Sequence, residues 1–303
     1  MGKIAFLFSG QGAQYTGMGK ELYECSDAAR EVFDIAEKVR PGTIAQCFEG
    51  SAEQLAITEN TQPCVYCVDL AAAAALKEKG IKADILAGFS LGEVAALTFS
   101  DAVSYEEGFR LVCARARLMQ QASETVSAGM AAVLKLPDEK VIALCNDFDN
   151  MYPVNFNSEG QVVCAGPQDQ LDAFVAHVKN AGGRAMPLKV GGAFHSPFMA
   201  GASDSFAGVL DAVKIISPKV TLYSNLTAKP YGENIKELLA KQMCSPVMWR
   251  VVIENMIAQG ADTFIEVGPG KTLAGLVGRI DSEVRVLNVE DKESLNKTAL
   301  SIT

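Results

Sequence analysis

The segment ILAGFSLGEVAAL, residues 85–97, carries the strongest structural information in the chain. It begins as a short apolar run, typical of a buried strand, and continues with an apolar helical pattern. Between the two lies Gly88-Phe89-Ser90-Leu91-Gly92, which matches the nucleophile elbow G-x-S-x-G. A serine at such a strained turn is held as a nucleophile, and N–H groups at the start of the next helix face any oxyanion beside it. A glycine-rich turn with a capping serine is the alternative, but the strand-to-helix context favours a nucleophilic Ser90.

The composition is that of an ordinary globular enzyme. Of the 303 residues, 49% are hydrophobic and 21% are charged, which is enough for one large core or two smaller ones. A net charge of −9 without a dense Lys/Arg run argues against nucleic-acid binding. No apolar run approaches the roughly 20 residues that span a membrane, and the apolar start is too short for a secretory signal. We therefore expect a cytoplasmic protein that binds neither nucleic acid nor membrane.

The eight cysteines indicate reduced thiols, and we expect neither a metal nor a cofactor. Cys64 and Cys67 form the only tight pair, in a helical pattern without a second pair or a nearby histidine, so two small core residues are favoured over a zinc or redox site. Two glycine loops are excluded as nucleotide sites, because Tyr15 and Ile265 stand where a dinucleotide fingerprint and a phosphate loop need glycine.

The order of predicted elements indicates an α/β fold. Strands alternate with helices over most of the chain, which predicts a parallel sheet in a large domain formed by residues 1–125 and 194–303. Residues 126–193 instead follow the β-α-β-β-α-β order of a ferredoxin-like unit, which we interpret as an inserted subdomain with a cleft beside it. Before the elbow, helices are predicted over 18–39 and over 61–79, the second with Pro63 near its first turn.

The helix predicted over 105–122 contains a charged residue in an apolar position. Its apolar stripe includes Leu111, Val112 and Met119, and Arg115 falls in the middle of it. A guanidinium that faces a core needs an anion, because its desolvation is otherwise very unfavourable. An ion pair with an internal carboxylate is the interpretation that the sequence alone favours. The functional alternative is a clamp for a substrate carboxylate.

His195 is the candidate general base for Ser90. The chain has two histidines, and His177 lies in an amphipathic helix where a structural role is expected. His195 precedes Ser196-Pro197, a predicted helix start at which the helix dipole favours the neutral imidazole that a base needs. A loop histidine that caps a neighbouring group is the alternative interpretation.

Several separate motifs, in the same order along the chain, resemble those of malonyl-CoA:acyl-carrier-protein transacylases of bacterial fatty acid synthesis. Their joint occurrence is far more specific than any one of them. The resemblance implies an α/β-hydrolase-like large domain with a ferredoxin-like insert. The matching segments are GQGAQ at 10–14, GFSLG at 88–92, the helix of Arg115 with LMQ at 118–120, VNFNS at 154–158, FHSP at 194–197, Gln242 before Pro246, and EVGPG at 266–270.

The resemblance also implies a reaction. Ser90 would attack the thioester carbonyl of malonyl-CoA while His195 accepts its proton, and backbone N–H groups of Gln11 and Leu91 would bind the oxyanion. The phosphopantetheine thiol of acyl carrier protein would then attack the malonyl-serine ester. Malonyl-CoA is a substrate in this reaction, no cofactor takes part, and a monomer is expected.

Two further roles follow from the same resemblance. Arg115 would bind the malonyl carboxylate through a bidentate pair. The backbone carbonyl of Gln242 would orient His195 in place of an acid, which the triad logic permits because the third member only has to orient the base.

Two other classes of function stay open at this point. A hydrolase could use the same elbow, although it would not need a buried cation that binds a free carboxylate. A non-catalytic protein that binds the carrier protein is the third class. Carrier proteins are generally acidic, so docking on a chain of net charge −9 would need a local basic patch, for which Lys189, Lys271 and Arg279 are candidates.

Overall fold

Two β-sheets organise the chain in the computed structural model, which describes residues 2–188 and 190–302. Five parallel strands form the larger sheet and four antiparallel strands form the smaller one. The strands are β1 (Lys3–Phe8), β2 (Ile85–Gly88), β3 (Ala128–Leu134), β4 (Tyr152–Ser158), β5 (Gln161–Pro167), β6 (Arg184–Pro187), β7 (Thr221–Leu222), β8 (Ala261–Val267) and β9 (Arg285–Val289).

Helices cover the larger sheet and one face of the smaller one. Short 3₁₀ segments occur at Gln168–Gln170, Pro197–Met199 and Gln242–Cys244. In the described ranges the α-helices are α1 (Lys20–Cys25), α2 (Asp27–Val39), α3 (Thr43–Glu49), α4 (Ala52–Ala56), α5 (Thr58–Glu78), α6 (Gly92–Phe99), α7 (Tyr105–Thr125), α8 (Asp138–Asn146), α9 (Leu171–Asn180), α10 (Ala200–Asp211), α11 (Ile235–Lys241), α12 (Trp249–Ala258), α13 (Thr272–Ile280) and α14 (Lys292–Ile302).

The larger sheet has the strand order β7-β2-β1-β8-β9. Its central strand β1 is buried at every residue after Lys3, as expected for a strand covered by helices on both faces. Because all five strands run parallel, their carboxyl ends meet at one edge, and the elbow follows β2 there. The prediction of an α/β fold with a parallel sheet is confirmed. The finer prediction, that the large domain is α/β-hydrolase-like, is supported by the strand-turn-helix elbow after β2 and stays a prediction.

The smaller sheet has the order β4-β5-β3-β6, with α8 and α9 packed against it. In the numbering of the unit itself this order is 2-3-1-4 and all neighbours are antiparallel, which is the ferredoxin-like arrangement. These strands lie within the predicted subdomain of residues 126–193. The exact boundaries of that subdomain, and of the large domain formed by 1–125 and 194–303, stay predictions.

Two predicted helices begin or continue differently in the structure. The helix expected over 18–39 is two helices, because Ser26 has extended backbone and its Oγ accepts a hydrogen bond of 3.1 Å from the N–H of Ala29 to start α2. The helix expected over 61–79 begins earlier, at Thr58, so Pro63 lies inside α5 and not in its first turn. The helix tolerates this proline because it removes a single N–H donor near the start.

The smaller sheet is joined to the segment before α12 by backbone hydrogen bonds close to the cleft. Val247 donates to the carbonyl of Val154 on β4 at 2.9 Å, and its own carbonyl accepts from the N–H of Phe156 at 2.9 Å. The ion pair between Arg250 of α12 and Asp138 of α8, at 2.9 Å, adds a second connection. Between the sheets lies a cavity of about 270 Å³.

Candidate active site

The elbow is built by two glycines that cannot carry a side chain. A Cβ on Gly88 would lie 2.0 Å from the carbonyl of Gly92, and a Cβ on Gly92 would lie 2.3 Å from the carbonyl oxygen of Phe8. Between them Ser90 has a φ of +56°, a left-handed conformation that is strained for serine. The close approach of the chain at both glycines therefore holds the Ser90 side chain at the tip of the turn, on the wall of the cavity.

His195 lies in contact with Ser90, as predicted. Its Nε2 is 2.7 Å from the Oγ of Ser90, and its Nδ1 is 2.8 Å from the backbone carbonyl oxygen of Gln242. Since a carbonyl only accepts, Nδ1 carries the proton, which leaves Nε2 free to accept the proton of Ser90. The structure thus places the Gln242 carbonyl where an acid would orient the base in other triads.

The imidazole of His195 is neutral at physiological pH. Burial, followed by the nearby positive charge of Arg115, lowers the pKa of His195 from 6.5 to about 4. The cause differs from the predicted helix dipole, because residues Pro197–Met199 form only a 3₁₀ turn before α10. The neutral form that a general base needs is therefore maintained by desolvation and charge.

Arg115 projects from α7 into the site and is fully buried. Its Nη1 donates to Oε1 of Gln62 at 2.7 Å, and its Nη2 donates to Oε1 of Gln242 at 2.8 Å and to Oγ of Ser90 at 3.1 Å. Its Nε has no hydrogen-bond partner in the described part of the chain. All three partners are neutral, so the internal ion pair that the sequence alone favoured is wrong.

The guanidinium remains charged despite its burial. Desolvation lowers the pKa of Arg115 from 12.5 to about 10, and the charge of Glu93 opposes that shift. Arg115 thus presents a buried cation with an unpaired Nε–H in the wall of the cavity, and its role as a clamp for an anion stays a prediction.

Gln11 and Leu91 both line the cavity next to Ser90. Within residues 2–188 and 190–302, the backbone N–H of neither residue donates a hydrogen bond, while the side chain of Gln11 donates to Oγ1 of Thr58 at 3.1 Å. Leu91 lies at the start of α6, where N–H groups are free to bind an anion. The two N–H groups are therefore available as oxyanion donors, and that role stays a prediction.

Asn225 is a site residue that the sequence analysis missed. Its Oδ1 accepts from the N–H of Ser90 at 2.7 Å and its Nδ2 donates to the carbonyl of Gly88 at 2.6 Å, so one amide fixes both sides of the elbow. No local motif identifies it, because Asn225 follows β7 and is 135 residues away from Ser90 in sequence.

Glu93 is the second residue that the sequence analysis missed. It is fully buried in α6 and accepts hydrogen bonds from the hydroxyl of Tyr231, from Nε2 of Gln242 at 2.7 Å and from the N–H of Asn225 at 3.2 Å. Burial raises the pKa of Glu93 to about 7, while these hydrogen bonds and the charge of Arg115 oppose that rise.

The opposite wall of the cavity belongs to the smaller sheet. Asn157 on β4 lines it, and its buried Oδ1 has no partner among the described residues. Of the predicted basic patch, Lys271 pairs with Glu290 at 3.6 Å, and Arg279 donates to Oε1 of Gln161 at 2.6 Å. Lys189 lies outside the described residues, so the patch stays a prediction.

Other parts of the chain contribute little to the site. Cys64 and Cys67 are buried in α5, and all eight cysteines are free thiols. Trp249 is buried, and His177 forms an exposed ion pair with Asp147 at 2.8 Å. Among the described residues, no group of three or more His, Cys, Asp or Glu side chains could hold a metal ion, and no helix is both long and apolar enough to cross a membrane.

Known proteins match this chain over nearly its whole length. The family model "Acyl transferase domain" matches residues 5–295. The malonyl CoA-acyl carrier protein transacylase of Bacillus subtilis is 39% identical over 97% of this chain and 96% of its own length. The crystal structure of the transacylase of that name from Clostridium perfringens has a TM-score of 0.94 and 38% identity, and covers 99% of this chain and 97% of the other. A solved complex of a type II polyketide acyl carrier protein with its malonyl-transacylase has a TM-score of 0.95 and 33% identity, and covers 99% and 100%.

Proposed function

The chain belongs to the acyl transferase family, and on that premise we propose that it transfers a malonyl group from malonyl-CoA to the phosphopantetheine thiol of acyl carrier protein. One observation carries the choice of substrate. Among the residues that the structure describes, the fully buried guanidinium of Arg115 has only neutral partners, and it lies 3.1 Å from the oxygen of Ser90. An acyl group that ends in a carboxylate supplies the missing anion at that distance from the nucleophile.

In the first half-reaction Ser90 is acylated. Its Oγ attacks the thioester carbonyl while Nε2 of His195 takes the hydroxyl proton, and the N–H groups of Gln11 and Leu91 bind the oxyanion. Collapse of the tetrahedral intermediate breaks the carbon–sulfur bond, and His195 returns its proton to the departing CoA thiolate. The products are free CoA and a malonyl ester of Ser90.

In the second half-reaction the acyl group leaves the enzyme. The thiol of the carrier protein gives its proton to His195 and attacks the ester carbonyl, and the same oxyanion donors act again. Breaking of the ester bond returns the proton to Ser90, so the enzyme ends in its starting state. We expect it to act as a monomer in the cytoplasm.

The clamp explains how the substrate carboxylate and the nucleophile cooperate. The free Nε–H of Arg115 and an adjacent Nη2–H form an edge that can bind a carboxylate through two charge-assisted hydrogen bonds. A carboxylate at that edge competes with Ser90 for the Nη2 donor. Binding of the substrate thereby releases the Ser90 oxygen for attack.

A hydrolase that uses the same elbow is the second candidate. It is disfavoured by Arg115, because hydrolysis of a neutral ester gains nothing from a buried cation beside the nucleophile. A transferase must also retain its acyl-enzyme until a thiol arrives, and the buried site, in which His195 is 4% exposed, limits the access of water.

The test is to trap the acyl-enzyme. After mixing with malonyl-CoA alone, intact-mass measurement should show one malonyl group on the wild type and none on Ser90→Ala. Addition of holo acyl carrier protein should then transfer the group and restore the original mass. Rapid loss of the adduct to water without transfer would instead indicate a hydrolase, and absence of any adduct would indicate a non-catalytic protein.

A further inference from the structure

The side chain of Gln242 lies between a buried guanidinium and a buried carboxyl group. Its Oε1 accepts from Nη2 of Arg115 at 2.8 Å, and its Nε2 donates to Oε2 of Glu93 at 2.7 Å and to the carbonyl oxygen of Ser90 at 2.8 Å. Arg115 and Glu93 are fully buried and Gln242 is 1% exposed. These contacts are separate from the backbone carbonyl of Gln242, which contacts His195.

The chemistry of the partners fixes the orientation of this amide. A guanidinium only donates hydrogen bonds, while a carboxylate and a carbonyl only accept them. The amide oxygen must therefore face Arg115, and the amide nitrogen must face Glu93 and Ser90. Every polar atom of the Gln242 side chain is used in this arrangement.

A direct contact between the two charges would be strongly attractive. Opposite charges attract much more in a buried site than in water, and an Arg–carboxylate contact is often bidentate. Such a contact would occupy donors of Arg115 that a substrate carboxylate needs. In the described structure, however, Arg115 makes no ion pair, and Glu93 instead accepts from Tyr231, Asn225 and Gln242.

We infer that the Gln242 side chain is a positioning residue that keeps Arg115 and Glu93 apart. The amide carries the attraction between the two charges through its own dipole, which makes the burial of Arg115 tolerable. It also leaves the Nε–H of Arg115, a residue that lines the cavity, without a protein partner, so that the carboxylate of the acyl group can take that place. This inference rests on the proposed function, because it concerns how the substrate clamp is kept vacant.

The main test replaces Gln242 by Met, which keeps the length of the side chain and the backbone carbonyl but removes the amide. We expect Arg115 to pair with Glu93, so that formation of the malonyl adduct on Ser90 slows at least about tenfold more than formation of the acetyl adduct from acetyl-CoA, while both rates share the loss of the amide contact with the carbonyl of Ser90. Both rates come from single-turnover intact-mass measurements with the full chain.

A second substitution separates the spacer role from simple packing. In Gln242→Met/Glu93→Gln the competing carboxylate is gone, so the malonyl rate should rise at least about fivefold above that of Gln242→Met. If Gln242 only fills space, the added change in the core will leave the malonyl rate equal or lower. That outcome, or an equal loss of malonyl and acetyl transfer in Gln242→Met, would overturn the inference.

Gln62 provides the matched control. Its Oε1 accepts from Nη1 of Arg115 at 2.7 Å, and its Nε2 contacts the sulfur of Met119, so it has no contact with Glu93. Gln62→Met should weaken malonyl transfer, but adding Glu93→Gln should not restore it. Rescue in both backgrounds would show that Glu93→Gln acts generally, which contradicts the spacer role.

Two further variants keep the result interpretable. If Gln242→Met fails to fold, Gln242→Asn keeps an amide that is too short to reach both charges, and the same loss and rescue are expected. Arg115→Met tests the proposed function itself. If that variant keeps the wild-type preference for malonyl over acetyl, the clamp fails. If the preference is lost and no rescue by Glu93→Gln is seen, only the spacer fails.

Discussion

The two halves of the site differ in how completely they are satisfied. The chemical half is Ser90 and His195, each with a left-handed backbone, in direct contact and oriented by a backbone carbonyl. The proposed selective half is Arg115, a buried charge that has neutral partners and an unpaired Nε within the described part of the chain. The contact between Ser90 and His195 is thus made before substrate arrives, whereas the proposed clamp at Arg115 would be completed by the substrate. Because Arg115 also donates to Oγ of Ser90 and helps to lower the pKa of His195, the two halves touch, and substitutions can measure how far attack and acyl choice are separable.

The largest effect is expected from His195→Ala, which removes the base. Loss of a positioned general base is expected to slow formation of both the malonyl and the acetyl adduct by about 10²–10⁴. Single-turnover measurements with the two acyl-CoA substrates should show similar factors. A variant that loses malonyl transfer alone would show that the two halves are not separable.

Arg115→Met should produce the next largest effect, and only on one substrate. Two charge-assisted hydrogen bonds to the malonyl carboxylate are lost, so kcat/KM for malonyl-CoA should fall about 10²–10³-fold. Acetyl-CoA has no carboxylate, and its rate should change by less than about threefold. Equal losses for both substrates would contradict the proposal that Arg115 binds the malonyl carboxylate.

Asn225→Ala should weaken the elbow itself. Ser90 and Gly88 lose their side-chain partners, so both acyl rates should fall about tenfold and the free energy of unfolding by about 1–3 kcal/mol. Asn255→Ala is the control, since Nδ2 of Asn255 donates to the backbone carbonyl of Ala228 at 2.8 Å, a side-chain-to-backbone bond outside the elbow. Asn255→Ala should lower the free energy of unfolding without lowering the rates of adduct formation. If it lowers those rates as much as Asn225→Ala does, the role assigned to Asn225 is contradicted.

The smallest effect is expected from pH within the neutral range. Because the pKa of His195 is lowered to about 4, titration of His195 should change the rate of acetyl-adduct formation less than about twofold between pH 6 and 8 and should lower it only as pH approaches 4, whereas a change centred near 7 would come from Glu93. The same titration of His195 also makes the free energy of unfolding depend on pH. Between its unfolded value of 6.5 and about 4 the unfolded chain binds more protons, so stability falls as pH falls. A rate that titrates near 6.5 would show an exposed imidazole.

Residues with a local pattern could be predicted from the sequence. Ser90 stands in a five-residue motif, Arg115 interrupts an apolar stripe, and His195 has one competitor of its type. The proposed roles of Ser90 and His195 follow from short segments of sequence. In the structure, both Arg115 and His195 contact the Oγ of Ser90. The β-α-β-β-α-β order was equally visible, because each element has its own periodicity.

Residues that act through long-range contacts could not be predicted in this way. Asn225 reaches the elbow from the end of β7, and Tyr231 reaches Glu93 across 138 residues of sequence. Glu93 did have a local signal, because it is a lone carboxylate in the fully buried helix GEVAALTF. The rule that singled out Arg115 would have identified it. Only the tertiary structure shows that the two charges belong together.

Helix boundaries were less predictable than helix existence. The break between α1 and α2 depends on whether the side chain of Ser26 caps a new helix or faces solvent, and the pattern of apolar residues does not distinguish these. The start of α5 depends on tertiary contacts of Thr58, whose N–H bonds to Oε1 of Gln120 at 3.1 Å. Contacts made 62 residues away decided where that helix begins.

The backbone pairing of Val247 with Val154 and Phe156 has a mechanical consequence. Val247 lies five residues after Gln242, so the segment whose carbonyl contacts His195 is hydrogen-bonded, through Val247, to β4 on the opposite wall of the cleft. Widening the cleft would pull on the segment 242–247 and would displace the Gln242 carbonyl that orients His195. We therefore expect the cleft to widen little when the proposed acyl donor and acceptor bind.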